Sequence, residues 1–263
     1  MTNRSDKIDK KILNDKKIKA SLLPQVGCIA VAELAMTLIL SLSKKIPLGH
    51  SYTKNAEYLK MNIEPFKTEE RKHNFQWMKI QNLFEVNGKS LGIVGFGEIG
   101  TELARRAKSF GMIVNYFSRT QLSKEIEEEE EINYQKFDEL LSFNDFISLH
   151  LPHTNESEKM INKRTISLMK KDSYIINTSR GGIIDEDDLV SALKNNKIAG
   201  AALDVFLYEP LPAGHSFMKL DNIILSPHIG GGSGGARIKH VENLLNNILK
   251  FQNTGKPDYE ISN

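Results

Sequence analysis

Three side chains with acid, base or anion-binding chemistry each follow a short apolar run in the second half of the sequence: Arg180, Glu209 and His228. A guanidinium can bind a carboxylate through two parallel hydrogen bonds, and an imidazole can exchange a proton near neutral pH. A carboxylate beside an imidazole favours the charged form of the ring. We therefore predict a site that reduces a 2-keto acid. In it Arg180 holds the substrate, His228 delivers a proton to the carbonyl oxygen, and Glu209 supports His228.

Each of these residues also has a simpler interpretation. Arg180 could cap a turn, Glu209 could be a surface acid before Pro210, and His228 could be a turn histidine. The catalytic interpretation depends on their convergence, because the carboxyl ends of parallel strands meet at one edge of a sheet.

A glycine pattern earlier in the chain predicts a dinucleotide at that same edge. Gly95, Gly97 and Gly100 form G-x-G-x-x-G between an apolar run and an amphipathic segment. The first glycine permits a tight turn, the second lets the backbone approach a pyrophosphate, and the third lets the helix pack on the strand. The first amides of the following helix then favour phosphate.

The identity of the dinucleotide depends on the next apolar run, which ends at Phe117. An acid at this position would bind the ribose hydroxyls of NAD and repel a 2′-phosphate, but the sequence continues with Ser118, Arg119 and Thr120. Arginine can bind a phosphate through two hydrogen bonds, and the hydroxyls can add neutral donors. We therefore predict NADP, with NAD as the alternative if Arg119 is only a surface residue. The acid at Glu98, near the pyrophosphate, argues against strong phosphate binding.

Short apolar runs that alternate with helical patterns predict an α/β fold with a doubly wound parallel sheet. The predicted strands are 91–94, 112–117, 146–151, 173–178, 199–205 and 222–227. The predicted helices include 98–110, 185–195 and 236–251, whereas 46–83 is predicted to be a long connection with a short helix. Asp204 lies near the end of the fifth of these strands.

Composition excludes several classes of function. A net charge of +2 over 263 residues, without aromatics interleaved in a basic patch, does not favour nucleic acid. The apolar run 26–42 resembles a membrane span, but Glu33 at its centre favours a buried helix instead. A lone cysteine, Cys28, favours a reducing compartment, so we expect a cytoplasmic protein. No His or Cys stands at ligand spacing, so we predict no metal site.

The ordered motifs resemble the D-isomer-specific 2-hydroxyacid dehydrogenases. The resemblance extends from "VAELAM" through "GKSLGIVGFGEIG", "SLHLPHT", "NTSRGGIIDEDDLVSAL", "AGAALDVFLYEP" and "SPHIGG". It implies a Rossmann fold, catalytic roles for Arg180, Glu209 and His228, and a homodimer. It also implies cofactor contacts from Gly95, Gly97, Glu98, Ile99, Gly100, Ser118, Arg119, Thr120, Pro152, Thr178 and Asp204. "NYFSRT" is similar to the NADP-preferring glyoxylate and hydroxypyruvate reductases.

The resemblance also implies a division of the chain. Residues 1–28 are expected to be a remnant of a smaller substrate domain, 29–229 the dinucleotide-binding domain, and 230–263 a return helix and tail. Two classes of function follow from this division. One is an NADP-linked reductase of a small 2-keto acid, and the other is a truncated, non-catalytic nucleotide-binding fragment of the same family.

Overall fold

The computed structural model describes residues 9–23, 27–69, 71–232 and 234–261. Its centre is a seven-stranded parallel sheet in the order β3-β2-β1-β4-β5-β6-β7. The strands are β1 Ser90–Val94, β2 Ile113–Phe117, β3 Asn133–Tyr134, β4 Phe146–Leu149, β5 Tyr174–Asn177, β6 Gly200–Leu203 and β7 Ile223–Leu225. The predicted α/β fold and its six predicted strands are therefore confirmed.

The central strands are buried on both faces, which explains why they are nearly continuous apolar runs. On one face, helices α2 (Cys28–Lys44) and α4 (Glu98–Ser109) cover Ile93, Ile176 and Ala202. On the other face, α6 (Phe137–Phe143), α7 (Lys163–Leu168) and α8 (Glu186–Lys194) cover the alternate strand residues. This two-layer cover makes the sheet a rigid support for the loops at its ends.

The other helices connect strands or lie outside the sheet. They are α1 Lys10–Asp15, α3 Ile46–Lys54, α5 Lys124–Glu129, α6 Phe137–Phe143, α7 Lys163–Leu168, α8 Glu186–Lys194 and α9 Gly234–Thr254. The apolar run near the N-terminus forms α2, whose inner face is buried, with Cys28 at its start only 6% exposed, whereas Glu33 lies on the exposed face. Within the described ranges, no helix has both the length and the apolar character needed to cross a membrane.

Some parts of the fold differ from the prediction. The segment 46–83 contains α3 and a 3-10 helix at Glu57–Met61, so it has more helical structure than predicted. The two-residue strand β3 is too short to leave a periodic pattern in the sequence. Phe110, the last residue of the predicted helix 98–110, is 46% exposed because it follows the last turn of α4, which ends at Ser109.

Candidate active site

All of the predicted site residues lie at or just beyond the carboxyl ends of the strands. Since every strand pairing is parallel, these ends form one edge of the sheet, which we call the carboxyl edge. The strand order changes direction between β1 and β4, and ligands of such sheets bind at this switch point. The glycine turn follows β1, Ser118–Thr120 follow β2, Pro152 follows β4, Thr178 and Arg180 follow β5, Asp204 and Glu209 follow β6, and His228 follows β7.

The glycine turn has the backbone geometry that its sequence predicts. Gly95 has φ +94°, and a Cβ added there would lie 2.5 Å from the carbonyl oxygen of His150. A Cβ on Gly100 would lie 2.7 Å from the Gly95 carbonyl oxygen, so α4 packs directly against the turn. Gly97 is the N-cap of α4 and provides no side-chain cap, so the first amides of that helix lack the intrahelical partners of later turns. The turn fits a dinucleotide pyrophosphate in both shape and polarity.

Glu98, whose charge argued against phosphate binding, makes a contact with the helix across the turn. Its Oε2 accepts a hydrogen bond from Cys28 Sγ at 3.2 Å. The carboxylate is therefore engaged with the start of α2.

The residues after β2 form the candidate adenosine end of the site. Phe117, where an acid was absent, is partly buried and packs against Phe137 with ring centroids 5.4 Å apart. Ser118 Oγ donates to the Thr120 carbonyl oxygen at 2.5 Å, which closes the turn. Arg119 is exposed, and within the described part of the chain its guanidinium has neither a hydrogen bond nor an ion pair. Its charge contributes to lowering the pKa of Glu156, after the larger effect of a hydrogen bond from Thr154.

Glu209 and His228 form a direct pair at the other end. His228 Nδ1 lies 2.6 Å from Glu209 Oε2, and the 48% exposed imidazole leaves Nε2 as the nitrogen for a ligand. Partial burial alone would raise the pKa of the Glu209 carboxyl. The bonds from His228 and the Phe206 amide, with the charges of His228 and Arg180, outweigh that effect and lower it. The carboxylate therefore stays ionised opposite the ring.

Arg180 is an exposed residue at the start of the 3-10 helix Gly181–Ile183. Its Nη1 donates to the Ser179 carbonyl oxygen at 2.5 Å, and its own carbonyl accepts a bond from Asn177 Nδ2 at 2.9 Å. The backbone is thus fixed by the end of β5, and the charge of the guanidinium contributes to lowering the pKa of Glu209. We call Arg180, Glu209 and His228 the candidate triad.

Asp204 holds the turn that carries His228. The carboxylate is 1% exposed, and its Oδ1 accepts bonds from Ser226 Oγ at 2.6 Å and the Ile229 amide at 3.0 Å. Oδ2 accepts the Gly230 amide at 2.9 Å. These bonds lie on both sides of His228, whose φ of +53° is uncommon for a residue with a side chain. Asp204 therefore shapes the turn as well as lying where a cofactor contact was predicted.

Two buried polar atoms, one on His150 and one on Thr178, lie between the two ends of the site. His150 and Thr178 follow the register partners Leu149 and Asn177 on adjacent strands. His150 Nε2 is 2.8 Å from Ser148 Oγ, whereas His150 Nδ1 and Thr178 Oγ1 are buried and lack hydrogen-bond partners among the described residues. Burial lowers the pKa of His150 to about 4, so the ring is neutral at physiological pH. A polar ligand at the carboxyl edge would satisfy both atoms.

The sequence motifs do not indicate a role for His150 at the carboxyl end of β4. They also do not indicate Ser226 or the backbone amide that supports Glu209. Only the "SLH" spacing, which puts Ser148 and His150 on one face of a strand, could have indicated the contact between these two side chains. The others join residues that are distant in sequence or depend on loop shape.

A doubly wound sheet with a glycine turn at its switch point defines a dinucleotide-binding protein. The profile of the family described as "D-isomer specific 2-hydroxyacid dehydrogenase, NAD binding domain" matches residues 36–230. The chain belongs to this family of nicotinamide-dinucleotide-dependent dehydrogenases, which act on CH–OH groups of small 2-hydroxy acids.

Individual relatives agree with this assignment. A glyoxylate reductase of Thermococcus litoralis is 39% identical over 247 residues, which cover 94% of this chain and 70% of the relative. The crystal structure of a glyoxylate reductase from Paecilomyes thermophila superimposes with a TM-score of 0.77 at 30% identity, covering 97% of this chain and 72% of that one. An acyclic imino acid reductase in complex with NADPH and D-Arg superimposes with a TM-score of 0.74 at 30% identity, covering 97% of this chain and 74% of that one.

Proposed function

We propose that this protein is an NADP(H)-linked reductase of a small 2-keto acid of the glyoxylate or hydroxypyruvate type. The observation that supports it most directly is the 2.6 Å contact between His228 Nδ1 and Glu209 Oε2. Arg180 follows β5, which is separated from β7, the strand before His228, by β6 alone. The pair lies on the same edge as the glycine turn. A proton donor, a carboxylate-binding group and a phosphate-binding turn on one edge are the groups that this reaction needs.

In the proposed mechanism, each residue of the candidate triad has one task. Arg180 binds the substrate carboxylate and polarises the neighbouring carbonyl. His228 donates the proton on Nε2 to the carbonyl oxygen, while Nδ1 stays bonded to Glu209, which holds the ring in orientation. The bound cofactor supplies the hydride for the carbonyl carbon. The product is the 2-hydroxy acid, and His228 regains its proton from solvent.

The fixed backbone around His228 supports this assignment. The three bonds to Asp204 orient the turn before any ligand binds, so little reorganisation is needed when the proton moves. Asp204 Oδ2 accepts a single bond within the described part of the chain and keeps a lone pair for the nicotinamide carboxamide. Thr178 and Pro152, at the neighbouring strand ends, complete the proposed contacts to the nicotinamide half.

The preference for NADP is proposed from the adenosine end. Arg119 is exposed between two hydroxyl residues after β2, and Phe117 supplies no charge that would repel a 2′-phosphate. The solved structure of the imino acid reductase relative is a complex with NADPH. The glyoxylate type of substrate is proposed from the names of the relatives at up to 39% identity.

A turnover assay tests the proposal. The purified chain is expected to oxidise NADPH in the presence of glyoxylate or hydroxypyruvate. Its kcat/KM for NADPH is expected to exceed its kcat/KM for NADH. The same preparation is titrated with NADPH by fluorescence to measure binding separately. Binding without turnover would contradict the reductase and favour the nucleotide-binding fragment, a candidate because the chain spans about 70% of its curated relatives.

Two further expectations accompany the proposed function. The family resemblance suggests a homodimer, which sedimentation of the purified chain would test. The lone, buried Cys28 is consistent with a cytoplasmic location.

A further inference from the structure

We propose that Glu186, together with His215, is a positioning residue that holds the candidate triad in place through the peptide between Phe206 and Leu207. The inference rests on the proposed function for its catalytic meaning, but the contact itself can be measured without turnover. None of the roles predicted from the sequence involves Glu186 or His215.

Two carboxylates hold consecutive amides of one loop. Glu209 Oε1 accepts the Phe206 amide at 3.0 Å, while Glu209 Oε2 faces His228. Glu186 Oε1 accepts the next amide, Leu207 N, at 2.9 Å. Glu186 of α8 therefore holds the Phe206–Leu207 peptide, while the triad residue Glu209 holds the peptide directly before it.

The same peptide lies against the backbone next to Arg180. A Cβ added to Gly181 would lie 1.9 Å from the Phe206 carbonyl carbon and 2.4 Å from Leu207 N. Such close contact leaves no room for the peptide to move towards β5. Since Gly181 follows Arg180 directly, a displaced peptide would disturb Arg180 and Glu209 together. The peptide is thus the mechanical link between two members of the candidate triad.

His215 holds Glu186 in the orientation that this link requires. His215 Nδ1 accepts a hydrogen bond from the Phe217 amide at 3.3 Å, so the proton of the neutral ring is on Nε2. Nε2 lies 3.3 Å from Glu186 Oε2, which leaves Oε1 for Leu207. The ring also packs on Phe217, which is fully buried, with centroids 4.7 Å apart. The anchor for the loop is therefore part of the core.

Two substitutions, Glu186→Ala and Glu186→Gln, disrupt the hydrogen bond between Glu186 and the Leu207 amide to different extents. Glu186→Ala removes both acceptors. Glu186→Gln keeps one acceptor, but whichever way the amide is turned, its NH₂ group faces either the Leu207 amide or His215 Nε2–H. We therefore expect a graded effect, larger for alanine than for glutamine. Asp187→Asn is the matched control, because Asp187 is an exposed acid of the same first turn of α8.

The decisive measurement is residue-resolved amide exchange by NMR on the full chain. Exchange at Leu207 is expected to be at least about tenfold faster in Glu186→Ala, intermediate in Glu186→Gln and unchanged in Asp187→Asn. The imidazole resonances of His228 should shift in the same order. Unchanged Leu207 exchange, or unchanged His228 resonances, in both Glu186 variants would overturn the proposal.

Kinetics then separate positioning from binding. We expect kcat to fall by roughly 10- to 100-fold in Glu186→Ala, because small misplacements of catalytic groups are costly, while the Kd for NADPH stays the same. A kcat equal to that of Asp187→Asn would contradict a positioning role. If the wild-type chain shows no turnover, the proposed function fails, yet the exchange and His228 data still decide the contact.

Discussion

The two ends of the candidate site are built in different ways. At the chemical end, after β5, β6 and β7, Asp204 accepts three protein donors, and Glu209 is bonded to both His228 and a backbone amide. At the adenosine end, after β2, Arg119 extends from a short turn into solvent. The chemical end is ordered by the protein itself, whereas the adenosine end leaves its cation available to a ligand.

This difference reflects what each end must do. Proton transfer requires groups held within a fraction of an ångström, and the structure provides this through bonds formed during folding. Recognition of a phosphate tolerates some adjustment, because an arginine can reorient to form two parallel bonds. The entropy cost of ordering a long side chain then falls on cofactor binding rather than on folding.

The largest expected effect tests the chemical end. His228→Ala should lower kcat with NADPH and glyoxylate by about 100-fold or more, because no other group in the proposed mechanism donates the proton. The Kd for NADPH, measured by fluorescence, should be unchanged. His240→Ala, an exposed histidine of α9, is the control, and an equal loss of rate in that variant would refute the assignment.

The next effect tests the adenosine end. Arg119→Ala should weaken NADPH binding by roughly 10- to 100-fold, since charge-assisted hydrogen bonds to the 2′-phosphate are lost. NADH binding should change little. Arg164→Ala, which removes an exposed arginine paired with Asp138, should change neither. Equal weakening of both cofactors by Arg119→Ala would remove the 2′-phosphate assignment.

The pH dependence of the free energy of unfolding tests His150, which lies between the two ends of the site. The folded protein keeps His150 neutral down to about pH 4, whereas the ring in the unfolded chain takes up a proton near pH 6.5. The contribution of the neutral ring to stability is therefore lost as the pH falls below 6.5. Between about pH 7 and about pH 5, the free energy of unfolding should fall by roughly 2 kcal/mol more than in His150→Gln. Parallel urea titrations of the two proteins would measure this, and identical slopes would show that His150 is not buried as a neutral ring.

The smallest expected effect is on NADPH binding at the adenosine end, where Glu156 lies near Arg119. Glu156 is close enough to Arg119 for the arginine to lower the pKa of its carboxyl, so Glu156→Gln removes a competing charge. We expect NADPH binding to tighten by about two- to threefold and NADH binding to stay the same. The gain should disappear in the double variant with Arg119→Ala. A gain that persists there would mean that Glu156 acts on the cofactor independently of Arg119.

Much of the fold could be predicted because its signals are local. Gly95 and Gly100 are required by backbone geometry that the structure shows directly, and the predicted helix 185–195 forms as α8 and buries its apolar Leu189, Val190 and Leu193. Local signals fail where packing decides. The apolar positions of α9 repeat at helical spacing, yet Ile238, at 64%, and Leu249, at 54%, are exposed. The apolar pattern of a helix indicates that a face can be buried, but not that another element covers it.

The sequence by itself determined the parallel sheet, the glycine turn and the set of polar residues at the strand ends, because strand periodicity and turn chemistry depend on near neighbours. Only the tertiary structure decided which groups hold those residues. Asp204 binds amides 25 and 26 positions away, and Glu186 binds an amide 21 positions away. Such contacts depend on how α8 and the loops pack on the sheet, and no short-range pattern encodes that arrangement.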